Sequence, residues 1–314
     1  TIYSIKHKNG AIRRVNINIA ATTVENYRKL HEAEIGTYQL FQETYHKKTY
    51  EELHPKGPKS DYCRQTEAHD RAMEGGIDDV GLGVLFGLNL CRYDFVGLLM
   101  HAEHLEAVFG VGPHTISVPR ICPADDIDPA SFTNAVPDDL FLKIVALIRL
   151  AVPYTGMSTR ESARIRNEAL KLGISQISGG SRTSVGGYTI KVEEQDNEHT
   201  AQFETADRRS LDEIVHSLMD NGYLPSFCTA CYRAGRTGDR FMEFAKDGSI
   251  AAYCQANAIM TIKEFMCDYA APETRRAGDI LIASELPRIQ NEKIHRTCIK
   301  RLEKIEAGER DFRF

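Results

Sequence analysis

Two rhythms of apolar and polar residues run along this chain. In the first 180 residues, short apolar runs alternate with stretches whose apolar positions recur about every 3.6 residues, the spacing of an amphipathic helix. The runs "IRRVNINIA" (12–20), "GTYQLFQ" (36–42), "VGLGVLFGL" (80–88), "HTISVP" (114–119), "YTGMST" (154–159) and "ISQIS" (174–178) predict strands. The stretches 22–35, 62–75, 93–110, 138–150 and 160–173 predict helices. Thr22 with Glu25 forms a capping-box pattern, Pro137 precedes the fourth helix, and Gly173 closes the fifth.

These make about six strand–helix steps with mostly apolar strands; 80–88 reads as a continuous apolar run. Such alternation predicts an α/β fold, a parallel sheet covered by helices. A closed eightfold barrel and an open doubly wound sheet both fit. No GxGxxG follows the first strand, which argues against a dinucleotide-binding fold.

Beyond residue 180 the rhythm changes. "GGSRTSVGGY" (179–188) reads as a loop, and "KVEEQDNEHTAQFE" (191–204) as polar and exposed. A helix is expected over 208–222, then a cysteine-bearing region, then a helical tail, charged and amphipathic over 291–311. The expected organisation is one domain over 1–180 and a mostly helical extension over 181–314.

Composition narrows the partners. The 314 residues are 42% hydrophobic and 26% charged, with net charge −5, which argues against a nucleic-acid or membrane surface. The apolar run 141–152 is too short for a membrane helix and contains Lys143 and Arg149. Eight cysteines in this length are not disulfide density, so a reducing compartment is expected, the cytoplasm or an organelle matrix.

The cysteines carry the candidate chemistry. Cys228, Cys231 and Cys254 follow a C-x2-C-x22-C spacing. Soft thiolates from a tight loop and a later turn suit zinc or an iron–sulfur cluster. Three thiolates leave one iron of a cubane open, whereas a structural zinc site would need a fourth ligand, for which Cys267 and Cys298 are available. Arg233, Arg236 and Arg240 follow at once and offer charge neutralisation. His114 opens a predicted strand and is a candidate iron ligand; His101 and His104 share a helix face. Ser158, Thr159 and Arg160 end a predicted strand, where barrel active sites collect and where Arg can grip a carboxylate; Ser158 or Thr159 can also cap the next helix. Gln39, Gln42, Glu43, Tyr45 and His46 form a polar and aromatic cluster at another strand end.

Longer motifs add a resemblance. "EIGTYQLFQETYH" (34–46), "GIDDVGLGVLFGL" (76–88), "FGVGPHTISVPR" (109–120), "GISQIS" (173–178) and "PSFCTACYRAGRTGDRFM" (225–242) with "CQANA" (254–258) run nearly the whole length. Together they resemble the radical S-adenosylmethionine tyrosine lyases of the [FeFe]-hydrogenase maturase HydG family, relatives of the thiazole-pathway ThiH enzymes. The resemblance implies a (β/α)8 TIM-type barrel with a C-terminal iron–sulfur extension. It implies cleavage of L-tyrosine to p-cresol, with carbon monoxide and cyanide formed for the hydrogenase active-site cluster. It implies an auxiliary [4Fe-4S] cluster on Cys228, Cys231 and Cys254, with an additional iron held by His114 or, as a rival, His104. Ser158 and Arg160 match the pair that holds the tyrosine carboxylate; Glu43, Gly81 and Gly83 lie where the family contacts S-adenosylmethionine. Other hydrogenase maturation proteins are the implied partners.

The family binds a first [4Fe-4S] cluster and S-adenosylmethionine through C-x3-C-x2-C, which none of the eight cysteines forms. With six steps and a first residue other than Met, this implies a chain lacking the barrel's first units. "GMSTRE" (156–161) is two residues shorter than the family's pattern there. Further readings are a non-catalytic iron–sulfur carrier or maturation scaffold, a ThiH-like 2-iminoacetate synthase, and structural zinc at the cysteines.

Overall fold

A computed structural model of the chain describes residues 2–7, 10–122, 131–183, 188 and 206–314. It has two compact units: one comprises residues 15–208, the other residues 1–14 together with 209–314. The change of rhythm expected at 180/181 thus falls inside the first unit. Residues 184–187 of the loop expected at 179–188, and the stretch 191–204, lie outside the described residues.

The chain opens with a two-stranded antiparallel pair, β1 (Lys6–His7) and β2 (Gly10–Ala11). The 15–208 unit then runs α1 (Val24–Glu32), β3 (Tyr38–Gln39), α2 (Lys47–Leu53), α3 (Tyr62–Thr66), α4 (Ala68–Glu74), β4 (Val80–Gly83), α5 (Cys91–Phe109), β5 (Thr115–Ser117), α6 (Asp138–Ala151), β6 (Gly156–Ser158) and α7 (Ala163–Leu172). The sheet is parallel in the order β3-β4-β5-β6. A parallel bridge from Ile17 to Tyr38 extends it on one side, and one from Ser158 to Gln176 on the other. All six expected strand positions therefore sit side by side in chain order, the succession of a (β/α) barrel.

The sheet has two unlike faces. Successive strand residues point to opposite sides, and the register keeps like with like. Tyr38, Val80, Leu82, Ile116 and Met157 share the face that packs on the helices, against Leu98, Leu105, Phe141, Ile148 and Ile165. Gln39, Gly81, Gly83, Thr115, Ser117, Gly156 and Ser158 share the other. Over β4, Val80–Gly83, the run is thus an alternation of branched residues with glycine, rather than the uniformly apolar strand that its composition implied.

Helix ends differ from expectation in detail. Thr23, not Thr22, caps α1: its hydroxyl accepts from Asn26 N, while Thr22 Oγ1 accepts from the Asn26 side chain. Ser162, not Ser158 or Thr159, is the N-cap of α7. α2, which no periodicity announced, is capped by the His46 ring accepting from Thr49 N.

The second unit is helical: α8 (Leu211–Asp220), α9 (Ala230–Arg233), α10 (Gly238–Lys246), α11 (Ile250–Asp268), α12 (Pro272–Glu285) and α13 (Glu292–Glu306). Its core gathers Val215, Met219, Ile259, Ile262, Met266, Ile294 and Ile305 around α11. Arg13 from the N-terminal segment donates to the buried Glu264 of α11 at 3.2 Å. Among the described residues no helix is long and apolar enough to cross a membrane.

Candidate functional site

The polar face of the sheet gathers a line of hydrogen bonds. Gln39 Nε2 on β3 donates to Ser117 Oγ on β5 at 2.7 Å, and Ser117 Oγ lies 2.7 Å from Ser158 Oγ on β6. The first bond crosses over β4, and glycine makes the crossing possible. A Cβ on Gly81 would stand 3.1 Å from Gln39 Cγ, and one on Gly83 only 2.3 Å from the Phe41 ring. At the next strand position the Gln176 side chain covers Gly156, where a Cβ would come within 2.6 Å of its Nε2. Small residues thus keep this face open to long polar side chains. Ser117 and Gln176 were not singled out by sequence reasoning; the alternation Gly-x-Gly, Thr-x-Ser and Gly-x-Ser in three successive strands was the available signal.

The C-terminal edge of the same sheet carries charge. Glu43 follows the extended backbone after β3 with φ of 70°, a left-handed conformation costly for a residue with a side chain. Its Oε1 meets Lys59 Nζ at 2.6 Å. Its neighbours hold it there: Asp94 Oδ1 accepts from Thr44 Oγ1 and Tyr45 N, both at 2.8 Å, and Gln65 Nε2 donates to Phe41 O at 2.9 Å. After β6, Thr159 turns back to donate to Val118 O at 3.1 Å, while Arg160 remains exposed to solvent. Crowding lowers the Arg160 guanidinium from its ordinary value, with Cys122 and Tyr188 nearby acting the other way. Arg120 grips both oxygens of Glu161, at 3.0 and 2.5 Å, and lies over the Phe141 ring. This clamp fixes the loops after β5 and β6, on either side of Ser158 and Arg160.

The expected cluster at 39–46 therefore divides. Gln39 and Glu43 reach the sheet's polar face and edge. His46 caps α2, and Tyr45 turns under the helices, its hydroxyl 2.8 Å from His101 Nδ1. His104 Nε2 meets Asp70 at 2.5 Å on the helical surface. His114 stands at the opposite, N-terminal edge of the sheet: its N donates to Val80 O, and its Nδ1 lies 3.6 Å from the buried Asp79 carboxylate.

The cysteines occupy the helical unit. Cys228 and Cys231 flank the start of α9, and Cys254 lies in the second turn of α11. The Cys228 sulfur accepts from Ala230 N at 3.3 Å. Desolvation pushes the Cys254 thiol up to about 11, with Cys231 and Cys228 adding to the shift and Arg236 opposing it. Cys231 is raised for the same reasons, again against Arg236. The three thiols thus lie within one another's electrostatic influence. Arg233 shares the charge field of Cys228, and Arg236 that of Cys231; Arg240 instead donates to Gly235 O at 3.2 Å. Cys298 is fully buried against Ala256 O, and Cys267 packs on the core, so neither is offered as a fourth ligand. Among the described residues no group of three or more His, Cys, Asp or Glu is arranged to hold one metal ion.

Clefts lie elsewhere among the described residues. One of about 790 Å³ in the helical unit is lined by Arg13, Asp212, Phe227 and Glu264; one of about 800 Å³ lies beside α5, lined by Tyr62, Tyr93, Met100 and His104. Neither includes Ser158, Arg160 or a cysteine of the trio.

Comparison with known proteins is consistent with this arrangement. The Biotin and Thiamin Synthesis associated domain family matches residues 117–224. The chain is 29% identical over 215 residues to 2-iminoacetate synthase from Salmonella typhimurium, and 31% identical over 203 residues to that from Escherichia coli. These matches cover 67% and 63% of this chain and 55% and 52% of the enzymes, so the chain spans about half the length of the curated relatives it matches. A crystal structure of HydG, a maturase of the [FeFe]-hydrogenase, is 57% identical with a TM-score of 0.95, covering 100% of this chain and 68% of that one. The FeFe-hydrogenase maturase HydG from Carboxydothermus hydrogenoformans is 41% identical with a TM-score of 0.76, covering 93% and 63%. On its sequence, its sheet and its helical cysteine-bearing unit alike, the chain belongs to the HydG family of [FeFe]-hydrogenase maturases.

Proposed function

We propose that this chain carries the substrate-holding and auxiliary-cluster parts of a radical S-adenosylmethionine tyrosine lyase. The whole protein would cleave L-tyrosine to p-cresol and supply carbon monoxide and cyanide for the [FeFe]-hydrogenase active site, alongside other maturation proteins. The observation that carries this reading is the thiol trio, Cys228, Cys231 and Cys254, gathered with Arg236 beside them. A 2-iminoacetate synthase of the ThiH type would use the polar sheet face but has no need of the trio.

Ser158 and Arg160 would hold the amino acid's carboxylate. Ser117 accepts from Gln39 and can pass its own proton toward Ser158, leaving the Ser158 hydroxyl to donate outward. Arg160 would add a charge-assisted, bidentate grip. Glu43, with Gly81 and Gly83 on the neighbouring strand β4, would meet S-adenosylmethionine at the strand ends, the side where (β/α) barrels place their chemistry. Cys228, Cys231 and Cys254 would hold a [4Fe-4S] cluster with one iron open, and His114 an additional iron. That cluster, when bound, supplies an iron at which small ligands assemble. Arg236 offsets its negative charge.

Anaerobic reconstitution with iron and sulfide tests the reading. About four irons and four sulfides per chain are expected at the trio, with a cubane-type EPR signal. Cys228→Ser should abolish both. A wild-type chain that takes up zinc without sulfide, or a Cys228→Ser chain that keeps its cluster, overturns it.

A further inference from the structure

We propose that the end of the chain, Arg310–Phe314, is a latch that fixes the distance between the Cys228–Cys231 loop and the helix bearing Cys254. Asp311 acts through Arg233, and Phe314 through Arg236. The significance of the latch rests on reading the trio as a cluster site, but its geometry does not.

The tail touches both thiol-bearing elements. On the loop side, the Asp311 carboxylate receives both terminal nitrogens of Arg233, one of them at 2.7 Å. Arg236 Nη2 donates to Phe314 O at 2.6 Å. On the side of α11, Asp311 N donates to Glu264 Oε1 at 2.6 Å, and Phe314 N donates to Asn257 Oδ1 at 2.9 Å. Glu264 and Asn257 are buried residues of the helix that carries Cys254. Arg301 from α13 lies over the Phe314 ring, 4.3 Å from its centre. The tail is therefore strapped from both directions.

Asp311 gives a second, independent sign. Its φ is 71°, the left-handed region, in a tail that no helix or strand constrains. Such a conformation persists only where surrounding contacts over-determine it. Three arginines converge on its carboxylate: Arg233, Arg13 at 3.4 Å and Arg313 at 3.5 Å. Before Cys228 the loop is held on α11 by Phe227, whose N donates to Thr261 Oγ1 at 3.2 Å and whose ring stacks on Phe265, and Arg14 lies over Tyr232 within the four-residue α9. Paired charge at the tail adds the anchor on the far side of the thiols, at Arg233 and Arg236. The same two arginines that the tail holds are those standing beside Cys228 and Cys231.

The test uses the full chain without metal and follows alkylation of each thiol by iodoacetamide with mass-spectrometric mapping. Asp311→Ala, and separately deletion of 310–314, should speed modification of Cys228 and Cys231 by about fivefold or more, the size of a lost local contact. Cys63, in the other unit, should not change, and Cys298 should stay protected. Asp311→Glu, which keeps the pair with Arg233, should restore slow modification. In reconstituted protein, Asp311→Ala should shift the EPR g-values of the trio's cluster while bound iron stays level. Rates at Cys228 and Cys231 unchanged within twofold overturn the latch. So does an equal rise at Cys298, which would make the tail a support of the whole helical unit. A wild-type chain that binds no cluster would sink the cluster reading alone, because the alkylation rates judge the latch without it.

Discussion

Glu43 and Asp311 both carry a side chain where the backbone is left-handed, and both sit at the edge of a candidate site. Neither is a glycine, so nothing in the local sequence marks them; the conformation is imposed by distant partners, Asp94 and Gln65 for one, Arg233 and Glu264 for the other. Ser158 and Arg160 stand out in the sequence because they end a predicted strand and suit a carboxylate; in the structure Ser158 ends β6 and Arg160 follows two residues later. If the proposed substrate site is right, Arg160→Ala should weaken tyrosine binding by about ten- to a hundredfold, the worth of a charge-assisted bond, and Ser117→Ala by a few-fold, as read by calorimetric titration. Equal affinity in both variants would remove these residues from the substrate site. Gly97, inside α5, shows how packing overrides propensity. A Cβ there would stand 2.5 Å from the ring of Tyr45, which is buried and bonded to His101. Gly97→Ala should therefore destabilise by about 1–3 kcal/mol, although alanine favours helices by about 1 kcal/mol, and thermal unfolding reads the sign.

His69 sets a pH dependence. Its Nε2 donates to Gly81 O at 3.0 Å and its other ring nitrogen has no partner, with the His101 and Tyr38 rings packed against it. Desolvation holds it down to about 4 from its ordinary 6.5, against the opposing pull of the Gly81 carbonyl and Asp70. The unfolded chain therefore takes up this proton first as pH falls. The stabilisation is complete above about pH 6.5 and is lost between there and about pH 4, on the order of 3 kcal/mol in full. Urea midpoints should fall between about pH 7 and pH 5, and His69→Gln should flatten that dependence. Parallel slopes in the two proteins would count against His69.

At the scale of elements, the strand–helix alternation emerged from periodicity, since a covered parallel sheet needs apolar strands and amphipathic helices in turn. The boundaries shifted by a few residues because caps depend on which hydroxyl reaches a backbone N–H. α8 carries a full capping box, Ser210 with Glu213. Ser210→Ala should cost about 1 kcal/mol, seen as a lower unfolding midpoint of the helical unit. Composition hid the division of the strands into a branched face and a Gly/Ser/Thr face. That division is what opens the sheet to Gln39, Ser117, Ser158 and Gln176. α2 was missed because its cap is a histidine ring.

For the whole molecule, the first residues belong with the last. Residues 1–14 fold with 209–314, where Arg13 meets Glu264 and Asp311 and Arg14 lies over the Tyr232 ring. Arg13→Met leaves Glu264 with the Asp311 amide but without this guanidinium, and should lower the helical unit's stability by about 1–3 kcal/mol, measured by denaturation of the full chain. An unchanged midpoint would show that the N-terminal segment adds nothing to that unit.

The sequence by itself determined the class of the fold, the succession of six strand positions and the identity of the three thiols. Those depend on local periodicity and on residue chemistry, which are written along the chain. Only the tertiary structure decided which side chains meet. It set Gln39 over a glycine strand to reach Ser117, and His114 at the far edge of the sheet from Ser158. It also tied the tail to the arginines beside the cysteines. These are contacts between residues 47 to 78 positions apart. They arise from strand register and helix packing, which no short window of sequence contains.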